Sequence, residues 1–112
     1  MILATLTFRL STQLCRIKVE GHGGEGIPGK DPLCAAVSFA VRTLERSLSQ
    51  ISGLKMDAVS IGEGDFSLEV HFIPSEWLER FQGITTFFLT GLGDLEIEFP
   101  KAIKLNCKEL EE

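Results

Sequence analysis

"GHGGEGIPGKDPLCAAVSFAVRTLERSLSQI", residues 21–51, divides in two at Asp31. Five of its first ten residues are Gly and a sixth is Pro, so Gly21 to Lys30 cannot sustain a helix or a strand. Beyond them, Leu33, Ala36, Val37, Ala40, Val41, Leu44, Leu48 and Ile51 recur at helical spacing. Asp31 suits the N-cap, Pro32 the first helical position, and Gly53 the stop. The stretch therefore predicts a loop feeding a helix from Pro32 to Ile51.

Upstream, Ile2, Ala4, Leu6, Phe8 and Leu10 alternate with Thr5, Thr7 and Arg9, and Cys15, Ile17 and Val19 alternate with Arg16, Lys18 and Glu20. Period two marks half-buried strands, and Ser11-Thr12 can turn one into the other, giving a hairpin with Cys15 on its inner side. Downstream, Ala58 to Ile61 and Asp65 to Ile73 flank the turn residues GEGD, with Phe66, Leu68, Val70 and Phe72 alternating against Ser67, Glu69 and His71. This predicts a second hairpin with a solvated His71. Pro74 and Ser75 then open a second helix, with Glu76 and Glu79 in its first turn. Its apolar residues Trp77, Leu78, Phe81, Ile84, Phe88, Leu92, Leu95 and Phe99 hold one face, but Phe87 and Leu89 lie off its centre. Such girth predicts burial on a second side, against another copy of the chain. Gly83, Gly91 and Gly93 either weaken this helix or let something approach it closely. Pro100 ends it, and Ala102 to Cys107 suit a last strand. The order ββαββαβ predicts an α+β fold, with two helices packed on a mainly antiparallel sheet in a single domain over residues 1–112.

The net charge of −5 argues against the positive field that nucleic acid requires. The N-terminus lacks the basic region and cleavage site of a signal peptide, and no run of about 18 apolar residues could span a bilayer, so a cytoplasmic protein is expected. Cys15, Cys34 and Cys107 form no CxxC and no Cys/His cluster at zinc spacing, so neither a disulfide framework, a metal site nor a cofactor is expected.

Cys34 differs from the other two cysteines by position. With Asp31 as cap it stands third in the helix, where unpaired amides and the positive end of the helix dipole favour a thiolate. It sits about 100° around the helix from Leu33, at the margin of the apolar stripe. His22 lies at the other end of the Gly-rich loop, so the two can meet as a nucleophile and base. The glycines leave room for backbone amides to approach a developing oxyanion, and Ser38, one turn after Cys34, could orient the site. The blander possibility is that Cys34 fills space at a helix start in a non-enzymatic, dimeric interaction module. A redox sensor is weaker still, because no second Cys lies near in sequence. Gly29-Lys30-Asp31 has the look of a phosphate loop, but Asp stands where Ser or Thr is needed.

The run "GHGGEGIPGKDPLCAAVS" resembles the signature of the ribosomal-processing cysteine protease Prp family through Gly21-His22, Gly29, Asp31 and Cys34 to Ser38. The likeness continues through both hairpins and the closing helix and strand. It departs at Glu25-Gly26, where the family usually has an aromatic followed by Ala, and at Pro32-Leu33, where it has two β-branched residues. The resemblance implies a cytoplasmic, homodimeric endopeptidase that removes the N-terminal extension of a large-subunit ribosomal protein, number twenty-seven. It further implies His22 as general base and Cys34 as nucleophile. The loop would order over an extended substrate and bring the two together.

Overall fold

The computed structural model describes residues 1–21, 31–60 and 64–111. Strands β1 (Ile2–Arg9) and β2 (Gln13–Glu20) form the first hairpin, and helix α1 (Pro32–Ser49) follows. Strands β3 (Lys55–Ser60) and β4 (Phe66–Phe72) form the second, a 3-10 turn (Ser75–Trp77) leads into helix α2 (Leu78–Glu98), and β5 (Ile103–Glu109) closes the chain. The sheet order is β3-β4-β2-β1-β5, antiparallel throughout except where β5 runs parallel to β1. The expected α+β architecture is the one observed.

The alternation in the sequence explains which face is covered. Ile2, Ala4 and Leu6 of β1, Ile17 and Val19 of β2, Phe66, Leu68 and Val70 of β4 and Ile103 of β5 enter one core with Leu33, Val37, Val41, Leu44 and Leu48 of α1 and Phe81, Phe88 and Leu92 of α2. Both helices thus lie on one face of the sheet, and α2 packs against both α1 and β5. The opposite face is polar. There Arg16 is ion-paired with Glu69 at 2.6 Å, and His71, exposed as expected, meets Asp57 at 2.7 Å.

Three details depart from the simple alternation. Pairing passes from Thr7↔Arg16 to Phe8↔Leu14, leaving Cys15 as the unopposed residue of a bulge. Thr7 and Cys15 are both buried there, and the Thr7 hydroxyl has no hydrogen-bond partner among the described residues. The turn begins one residue earlier than expected, with positive φ at Leu10 and Ser11, which turns Leu10 out to solvent. A second bulge at Lys55/Met56 lies at the far end of β4, where Phe72 is exposed.

The topology places the start of α1. Val19↔Phe66 and Ser60↔Phe66 pairing puts the ends of β2 and β3 and the start of β4 at one end of the sheet. Six residues after α1 ends, Lys55 pairs with Phe72 at the opposite end. A helix of 18 residues spans about 27 Å, so α1 runs back across the sheet and its first turn lies at the end where β2 stops.

Candidate active site

Gly21 leaves β2 with φ +93°, and a Cβ at this position would collide with the carbonyl oxygen of Met1. Both facts require glycine at the point where the chain quits the sheet. His22 and Gly29 lie outside the described residues, as do Glu25-Gly26 and the loop expected to order over substrate.

Asp31 is the N-cap of α1. Its Oδ1 accepts hydrogen bonds from the backbone amides of Leu33 at 2.9 Å and Cys34 at 3.4 Å, and its carbonyl accepts from Ala35 at 3.0 Å. Pro32 has no amide proton, so the donors of the first turn are all engaged within the helix. The bond from the Cys34 amide is the longest of them. The Asp31 carboxylate thus turns to the helix backbone, as an N-cap should.

Cys34 is half-buried and its side chain packs at the margin of the core. Ser38 lies one turn on, exposed, and its carbonyl accepts from Arg42 Nε at 3.2 Å. Cys15 is buried, and loss of solvent pushes its thiol up, opposed in part by Arg9 and Arg16 and reinforced by Glu69 and Glu109. Cys107 lies exposed on edge strand β5. Of the three, Cys34 alone combines a helix start with partial access.

The two flanks of α1 do different things. Ala36, Phe39, Ala40, Thr43 and Ser47 line a groove of about 580 Å³ against α2, whose wall includes Gly83, Phe87 and Gly91. At about 100° per residue, Cys34, Ser38 and Glu45 fall on the opposite flank. The sequence reading names Gly83 and Gly91 without deciding their use. An added Cβ at either would meet nothing within 4 Å among the described residues, so neither is needed for packing against them. Their i, i+4, i+8 spacing with Phe87 is the signal that places all three on one stripe.

A comparison with curated protein sequences finds no match. Solved structures do match. The essential ribosomal processing protease Prp from S. aureus, in complex with a covalently linked product peptide, superposes with a TM-score of 0.83 at 22% identity, covering 96% of this chain and 100% of that one. The same protein with a substrate peptide gives 0.78 at 21% identity, with the same coverage. SMU.848 from Streptococcus mutans gives 0.78 at 25% identity, covering 98% and 96%. The family model for cysteine protease Prp matches residues 1–104 of the 112, a span that contains Asp31 and Cys34 as well as every strand and helix up to the first residues of β5, and the chain belongs to that family.

Proposed function

We propose that this chain is a cytoplasmic endopeptidase that removes the N-terminal extension of a large-subunit ribosomal protein, number twenty-seven, with Cys34 as nucleophile and His22 as general base. The observation that carries the reading is Cys34 itself: a half-buried thiol in the first turn of a side-chain-capped helix, in a chain of the cysteine protease Prp family. The S. aureus protein of the same fold is a ribosomal processing protease, which supports the substrate class. No helix among the described residues is long and apolar enough to cross a membrane.

In this reading His22 takes the Cys34 proton and the sulfur adds to the scissile carbonyl carbon, whose oxygen gains the negative charge. The C–N bond then breaks as His22 returns the proton to the leaving amine, leaving a thioester on Cys34. Water, deprotonated by His22, releases the new carboxylate and restores the thiol. With the Leu33, Cys34 and Ala35 amides all bonded to Asp31, the oxyanion is expected to draw on backbone donors that the Gly-rich segment leaves unobstructed. Gly21, Gly29 and Asp31 shape this site, and Ser38 supports it.

The chain acts as a homodimer through the α1–α2 groove. Phe87, 80% exposed, stands between two open glycine notches on one helical stripe, and a knob flanked by notches is self-complementary across a two-fold axis.

The test is cleavage of an extended ribosomal-protein N-terminus by purified protein. Cys34→Ala and His22→Ala are each expected to lower kcat by roughly 10³-fold or more, while Cys15→Ala and Cys107→Ala retain activity. Cleavage surviving in Cys34→Ala would overturn the assignment.

A further inference from the structure

Both helices cover one face of the sheet, and the bare face is not evenly charged. Ile103 of β5, Ile2, Ala4 and Leu6 of β1 and Ile17 and Val19 of β2 enter the core. By alternation Lys104 and Lys108, Arg9, and Arg16, Lys18 and Glu20 project from the other side. Register sets them in rows, Lys104 beside Leu3 and Glu20, Asn106 beside Thr5 and Lys18, and Lys108 beside Thr7 and Arg16. On these three strands the bare face thus gathers five of the chain's 11 Lys and Arg with Glu20 as its acid, although the whole chain carries −5. The neighbouring acids are engaged: Glu20 with Lys18 at 3.5 Å, Glu69 of β4 with Arg16 at 2.6 Å, and Glu109 with the Ser11 amide at 2.8 Å. Arg9, Lys104 and Lys108 have no ion pair among the described residues. Edge strands often carry lysine to repel a second sheet. On β5, however, Glu96 Oε2 already covers the edge by accepting from the Leu105 amide at 2.7 Å, and both lysines project from the face.

We propose that the bare face of β5, β1 and β2 binds the phosphate backbone of RNA. Four residues of strand set Lys104 about 13 Å from Lys108, and two strand spacings set β5 about 10 Å from β2, a flat cationic area over which several phosphates fit. Thr5 and Asn106, in the middle row, offer neutral hydrogen bonds to phosphate or sugar. No aromatic residue projects from this half of the face among the described residues, so bases have nothing to stack on. Contact is therefore with the backbone, irrespective of sequence, and a duplex suits it. The net charge of the chain describes its whole surface, whereas a bound polyanion meets this patch. The choice of RNA over an acidic protein rests on the protease reading: a ribosomal protein belongs to a particle built on RNA, so its processing enzyme meets phosphate beside its substrate. Cys34 lies on the helical side of the sheet, so the face can be occupied while the site works.

The test is fluorescence anisotropy of a labelled RNA duplex of about 16 base pairs titrated with the full chain. The logarithm of affinity is expected to fall with the logarithm of salt concentration at a slope of about −3 to −4, close to one phosphate for each unpaired cation and a share from Lys18. Lys104→Glu/Lys108→Glu should weaken binding by about tenfold or more and flatten the slope by about two. Lys104→Gln/Lys108→Gln, gentler on the strand, should show a smaller loss in the same direction. Arg46→Glu/Arg80→Glu makes the same change in net charge on the two helices and should alter affinity less than about threefold, because charge at that distance is screened. Equal losses in the two Glu variants, a slope near zero, or no binding at about 50 mM salt overturns the proposal. So does a polyglutamate peptide that binds as tightly and is lost with the same lysines, which would give the face to an acidic protein. Cleavage of a free extended N-terminal peptide by Lys104→Glu/Lys108→Glu should stay within about twofold of the unsubstituted protein. Absent cleavage in both with RNA binding intact counts against the protease reading, whereas intact cleavage without RNA binding counts against this proposal alone.

Discussion

Helix α1 enters the fold through a carboxylate that holds two of its first amides, whereas α2 begins at Trp77 with no side-chain cap. The contrast continues along their lengths. α1 buries five residues in one narrow stripe, and α2, three residues longer, buries four and leaves Phe87 and Ile97 each 80% exposed. One helix has its start fixed, which is where Cys34 sits. The other has its outer face left apolar, which is where a second copy would sit. Position matters at the first and surface at the second, although both lean on the same core.

The largest effect should come from confusing the two faces of α2. Phe81 is fully buried, and Phe81→Ala is expected to lower unfolding free energy in urea by about 3 to 5 kcal/mol through lost contacts and an unfilled cavity. Phe87→Asp, six residues on, should leave the fold intact but convert a dimer to a monomer in light scattering at micromolar concentration. A wild-type protein already of one-chain mass would break the comparison, and so would a Phe87→Asp protein that unfolds as readily as Phe81→Ala.

The contrast between helices was partly legible in the sequence. Asp31-Pro32 announced the cap because both residues act locally, and the off-centre Phe87 announced an uncovered face because helical period is fixed. What the sequence could not show depends on distant partners. Leu10 keeps the alternation of β1 yet is exposed, because the chain has already entered a left-handed turn. Thr7 breaks the pattern the other way, buried beside a bulge that no local signal marks. That β5 runs parallel to β1, and that α1 turns Ala36, Phe39 and Ala40 to the α2 groove and leaves Cys34 on its other flank, are facts of long-range pairing and packing. For the candidate site, the cap at Asp31 and the first-turn place of Cys34 were readable from spacing. The commitment of the first-turn amides to Asp31 was not, since it needs the rotamer of one side chain.

A middle-sized effect should separate the cap from the charge. Asp31→Ala removes the acceptor for Leu33 N–H and Cys34 N–H and is expected to cost about 1 kcal/mol of stability, with a loss of kcat because the turn that carries Cys34 frays. Asp31→Asn keeps an acceptor oxygen and removes the charge. It should recover most of the stability by thermal melt. If activity recovers with it, the role of Asp31 is to hold the first turn; if stability returns and activity does not, the carboxylate charge acts on the reaction itself.

The smallest effect carries the opposite sign and bears on why α2 tolerates so poor a helix former. Gly91 is exposed in mid-helix and meets nothing within 4 Å of an added Cβ. By backbone entropy alone, Gly91→Ala should stabilise an isolated chain by about 0.5 to 1 kcal/mol, since the unfolded state loses more freedom than the folded one. A glycine retained only by indifference would show that gain and nothing else. A glycine that forms the notch for a partner's Phe87 would show the gain in the monomer together with weaker association, because the new methyl fills the space the ring requires. Chemical denaturation at low protein concentration reads the first quantity, and the dimer dissociation constant from sedimentation reads the second. A higher unfolding free energy with an unchanged dissociation constant would leave the α1–α2 groove without its proposed occupant, and the outer face of α2 would then need another explanation.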